Sequence, residues 1–68
     1  MDFDKEIIIK IVNKLEDEDA YLFKLRHGLM DNKVYSLTEI SLMLNLSHDE
    51  VCKELRRIES YVLSEYRK

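Results

Sequence analysis

The chain has no proline, no tryptophan, one glycine and one cysteine in its 68 residues. Proline and glycine supply the fixed or positive φ angles of most tight turns. Their scarcity excludes a fold built from many short strands and hairpins. Cys52 is alone, so there is no internal disulfide and no cysteine-based zinc site. No apolar run approaches the ~18 residues that cross a bilayer, so no membrane segment is expected. The acidic start, Met1-Asp2-Phe3-Asp4, is unlike a signal peptide, and a cytoplasmic location is expected. An excess of basic charge is also missing. The formal net charge is −3, where nucleic-acid-binding domains are typically basic.

What the chain has is 46% hydrophobic and 37% charged residues, rich in Leu, Ile, Glu and Lys. That is too apolar for disorder and the wrong palette for a β-sandwich. The expectation is one all-α domain spanning residues 1–68. So short a chain buries only about 60% of the surface its unfolded form exposes, so a partner would add stability. The charge is unevenly spread. Residues 1–20 hold seven acids and three bases, whereas residues 51–68 hold three acids and five bases. This asymmetry bears on partner choice more than the total does.

Apolar spacing predicts four helices. The first covers residues 4–15, with Phe3, Ile7, Ile8, Ile11, Val12 and Leu15 on one side and Ile9 facing away. A single exposed isoleucine is ordinary, but Ile9 is also where a partner could add contact. The second helix follows Glu16-Asp17-Glu18-Asp19, since acids suit a helix N-terminus. These four are read as a solvated helix start or as a protein-interaction surface. They lack the glycine and alternating ligands of a calcium loop. Leu22, Phe23 and Leu25 supply the buried side, with Ala20 and Tyr21 at its edges, and Gly28 ends the helix in a left-handed cap.

Two helix-start signatures then follow in quick succession. Ser36-Leu37-Thr38-Glu39 and Ser47-His48-Asp49-Glu50 both carry the Ser-x-x-Glu capping box. The first opens a short helix from Leu37 to Leu44, the second a long one from His48 to about Tyr66. A short helix, a tight turn and a longer helix form the helix-turn-helix arrangement, here over about residues 37–58. Ile40 and Leu44 should face inward, Leu46 should plug the turn, and Val51 should anchor the long helix. Asn45 tolerates the left-handed conformation that such a turn needs. Val51, Leu55, Ile58 and Val62 make one apolar seam, with Lys53, Arg56, Arg57, Arg67 and Lys68 on the opposite side. A basic stripe facing away from the core is what a phosphate-contacting helix requires. Any surface helix also turns its Lys and Arg outward. Tyr35, Tyr61 and Tyr66 are expected at core edges.

Three segments together resemble region four of bacterial sigma factors: Leu22-Phe23-Lys24-Leu25-Arg26-His27-Gly28-Leu29, Tyr35-Ser36-Leu37-Thr38-Glu39-Ile40 and Leu44-Asn45-Leu46-Ser47-His48-Asp49-Glu50-Val51. The resemblance covers roughly residues 12 to 58, and extends to small helix-turn-helix proteins that carry this region alone, frequent in phages and mobile elements. It implies a four-helix domain with a C-terminal helix-turn-helix that binds double-stranded DNA and touches RNA polymerase. The family's recognition helix typically begins Ser-Arg-Glu-Arg-Val-Arg-Gln. Here His48, Glu50 and Cys52 stand where arginines are expected, Asp49 matches the acidic residue, and Lys53 takes the Gln position.

The expected function is transcription regulation through DNA binding. His48, Asp49, Cys52, Lys53 and Arg56 are the candidates for base edges, and Lys33, Ser36, Thr38 and Arg57 for phosphates. A homodimer would extend the few bases that one unit reads, with the first helix able to pair. The rival reading is a protein-interaction module that binds RNA polymerase or another regulator through its acidic N-terminal half without reading DNA. Asp49 and Glu50 favour it, because two carboxylates at the start of a recognition helix repel phosphate. His27 and His48 have no ligand-spaced Cys or His, so no metal is expected. Nothing in the pattern resembles an enzyme site, and no cofactor is expected.

Overall fold

Four helices follow one another in the computed structural model, which describes residues 4–68: α1 (Lys5–Val12), α2 (Asp17–His27), α3 (Leu37–Leu44) and α4 (His48–Tyr66). The described residues are all helix, turn and loop, with no strand. Each helix begins where a side chain can take up an orphan amide or where acids meet the positive end of the dipole. Asp4 caps α1 through the amides of Glu6 and Ile7. Glu16 makes no side-chain cap for α2, whose first turn instead holds Asp17, Glu18 and Asp19. Ser36 caps α3 in a full capping box, its hydroxyl accepting from the Glu39 amide and the Glu39 carboxylate accepting from the Ser36 amide. The expected second box is only half formed. Ser47 accepts from the Glu50 amide, but the Glu50 carboxylate accepts from the Ser47 hydroxyl rather than from its amide.

The helix ends follow from backbone conformation. Gly28 adopts φ 69° and ψ 30° after α2. The φ favours glycine, and a Cβ there would stand 3.1 Å from Val34 Cγ2, so the exposed Val34 side chain would have to give slightly. Asn45 ends α3 with φ 55°, the left-handed turn expected of it.

α4 is the element against which α1, α2 and α3 all pack. Its seam of Val51, Leu55, Ile58 and Val62 is buried along its length. Ile40 of α3, Val12 of α1, and Leu22, Phe23 and Leu25 of α2 close the core around it. The start of α1 also meets the end of α4, because the Asp4 amide donates to the Tyr66 hydroxyl at 2.9 Å.

Several positions differ from expectation. α1 stops at Val12 rather than reaching Leu15, and Asn13 forms its C-cap. Ile7 is 44% exposed, whereas Ile9, expected to face away, is half-buried. The reason is where α1's buried arc is centred. It lies on Ile8 and Val12, leaving Ile7 and Ile9 about 100° to either side, at its margins. Phe3, expected on the same face, lies outside the described residues. Leu46 does not plug the turn; it is 37% exposed. Tyr61 is exposed, while Tyr35 and Tyr66 pack at the core edge. Ala20, expected at an edge, is buried.

Candidate nucleic-acid interface

The segment before α3 is held tightly. Asp31 accepts from the Tyr35 hydroxyl at 2.9 Å and from the Lys33 amide at 3.3 Å. The Tyr35 hydrogen bond, followed by the Lys33 amide, holds the Asp31 carboxyl below its usual range, and Asp31 in turn pushes the Tyr35 phenol up. The Tyr35 amide donates to the Leu25 carbonyl, and Arg26 donates to the Tyr35 carbonyl. This fixes the entry to α3 on the end of α2.

At that entry Lys33 sits 3.6 Å from Glu39 Oε2, with its ammonium 4.7 Å over the Tyr35 ring. Ser36 is engaged as the cap, its hydroxyl accepting from the Glu39 amide and, after its own amide, also lowering the Glu39 proton affinity. Thr38 is exposed, and its carbonyl accepts from Ser41. The first-turn amides of a helix have no intrahelical acceptor and can receive phosphate oxygens. The Glu39 carboxylate lies at the same end, its proton affinity lowered chiefly by the Ser36 amide.

The start of α4 exposes His48, Asp49 and Glu50. Cys52 is half-buried, its Sγ 3.7 Å from His48 Nδ1. Counting about 100° per residue, Asp49, Lys53 and Arg56 fall within about 60° of one another, opposite the buried seam. Lys53 and Arg56 are exposed and form no ion pair among the described residues. Asp49, Lys53 and Arg56 therefore share one outward stripe; Cys52 lies about 40° from its edge, and His48, about 80° from it, is turned toward the seam side.

Arg57 behaves differently. Its guanidinium meets Glu54 at 2.6 Å and Asp19 of α2 at 2.9 Å. Glu54 first, and then Asp19, drives its proton affinity up. Helical geometry turns Arg57 toward α2, so this expected phosphate contact is an intramolecular bridge in the free chain. At the tail, Lys68 pairs with Glu65, which raises its proton affinity.

Arg26 was not among the residues that spacing selected. It lines a shallow groove of about 240 Å³ together with Leu37, Cys52 and Arg56, where the end of α2 meets the start of α3 and the middle of α4. The available signal was a basic residue in the last turn of α2, two before the capping glycine. His27, beside it, stacks on Phe23 with centroids 4.3 Å apart and meets Glu59 of α4 at 2.6 Å.

The acidic candidates Glu16, Asp17 and Glu18 are exposed at the start of α2, and Asp19 is half-buried against Arg57. Among the described residues no group of His, Cys, Asp and Glu is arranged to hold a metal ion, and no helix is long and apolar enough to cross a membrane. Comparison with protein-family models, with curated proteins and with solved structures finds no match to this chain.

Proposed function

We propose that α3, the turn at Asn45–Ser47 and α4 work as a helix-turn-helix of the sigma region four type, and that the protein regulates transcription by binding double-stranded DNA. The observation that carries this reading is the stripe of Lys53 and Arg56, without an ion pair among the described residues, beside Asp49 on the face of α4 opposite its buried seam. Asp49 can accept from a cytosine amino group, and Lys53 and Arg56 can reach base edges or phosphates. Lys33, Ser36 and Thr38 would meet the backbone at the start of α3, and Arg26 extends that contact from α2. Arg57 contributes least directly, since Asp19 and Glu54 already hold it. The test is site selection from random duplexes, followed by binding with Asp49→Ala, Lys53→Ala and Arg56→Ala. A selected site whose preference shifts with these variants supports the reading. A site indifferent to all three together contradicts it.

A second reading has its own support. Asp49 and Glu50 are exposed where phosphate would approach, and Glu16, Asp17 and Glu18 are exposed at the start of α2. On this reading the protein binds RNA polymerase or another regulator and reads no DNA. It predicts no duplex binding at moderate salt, and loss of the partner when residues 16–19 are neutralised.

A further inference from the structure

The second reading seats a protein partner at the acidic start of α2 but leaves open which surface beside it completes the seat and what the partner looks like. A groove of about 500 Å³ runs between the start of α2, the turn after α3 and α4. Its apolar walls are Tyr21, Leu22, Leu44 and Leu46, of which Tyr21 and Leu46 are exposed large hydrophobics. Exposed Tyr21 and Leu46 beside Leu22 and Leu44 give the groove an apolar floor in a chain that is 37% charged, the kind of patch that marks an interaction site.

The polar walls are all acidic: Glu18, Asp19 and Glu54. Asp19 and Glu54 converge on Arg57, which shows that this rim accepts a guanidinium between two carboxylates. Glu18 has no ion-pair partner among the described residues. Three carboxylates, two of them shared by one guanidinium, leave the rim net negative.

We propose that this groove docks a basic amphipathic helix of a partner protein, with a large aliphatic side chain seated among Tyr21, Leu22, Leu44 and Leu46 and a Lys or Arg one turn away on Glu18. Apolar floor and acidic rim complement the two faces of such a helix. The inference deepens the second reading by assigning the partner's chemistry and its seat. It is also compatible with DNA binding, because Glu54 lies on a different side of α4 from the stripe of Asp49, Lys53 and Arg56.

The experiment is an NMR titration of the full isotope-labelled chain with a synthetic helical peptide. The peptide carries leucines at i, i+3, i+4 and i+7 and lysines elsewhere; its twin carries glutamate for lysine. Saturable shifts centred on Tyr21, Leu22, Leu44 and Leu46, seen with the lysine peptide and not its twin, are expected. Glu18→Lys and Leu46→Asp, both at exposed positions, should each weaken binding by about tenfold or more, equivalent to about 1.4 kcal/mol. Arg56→Ala should leave peptide binding unchanged, which separates this site from the DNA reading. Shifts centred elsewhere, equal binding of the glutamate twin, or no saturation below about 1 mM would overturn the proposal. So would shifts of the same amides on diluting the free protein, since a second copy would then cover the groove.

Discussion

Gly28 and Ser36 are the residues whose chemistry does most to set the site. Gly28 ends α2 at φ 69°, and a side chain there would press on Val34. Gly28→Ala should therefore cost about 1–2 kcal/mol from the left-handed backbone alone, measured by urea denaturation. Loss of less than that would mean the loop before α3 yields freely. Ser36→Ala should cost about 1 kcal/mol by removing the α3 cap. Its partner Glu39 adds a pH signature. The folded state holds the Glu39 carboxyl below its usual range, chiefly through the Ser36 amide. Its contribution is thus complete above the ordinary glutamate pKa and is lost as pH falls through the lowered folded value. Glu39→Gln should flatten the acid limb of the stability–pH curve in that window, and an unchanged limb would show that the box does not persist in solution.

At the scale of elements, α4 organises the molecule. Val51 is fully buried where α4 begins its seam. Val51→Asp should cost at least about 3 kcal/mol by burying an unpaired carboxylate, comparable with the whole stability of so short a chain. Circular dichroism should show the helical signal lost at ordinary temperature, and a variant that melts like the parent would place the seam elsewhere. The extents of α3 and α4 were legible in the sequence because Ser-x-x-Glu starts, Asn45 and a four-three-four apolar spacing all agree. α1 was less legible. Three consecutive isoleucines leave its phase ambiguous, and only packing on α4 decides that Ile8 is central while Ile7 and Ile9 sit at the margins. The stripe of Asp49, Lys53 and Arg56 was legible for the same reason as the seam, being its opposite face. The fate of Arg57 was not, because Asp19 lies 38 residues away and on another helix.

The whole molecule combines an acidic first stretch, seven acids and three bases in residues 1–20, with a basic last one, five bases and three acids in residues 51–68, and its net charge of −3 makes DNA binding the claim most exposed to test. If duplex DNA is bound through α4, each phosphate neutralised releases condensed counterions, giving a logarithmic salt slope of about −0.9 per contact. The most direct measurement is the affinity for a selected duplex across a salt series, for the parent, Arg56→Ala and Arg57→Ala. The account predicts a steep slope for the parent, flattened by about one unit in Arg56→Ala. It predicts a smaller change in Arg57→Ala, whose guanidinium is already held by Asp19 and Glu54. No binding at moderate salt, or a slope that Arg56→Ala leaves untouched, would contradict it.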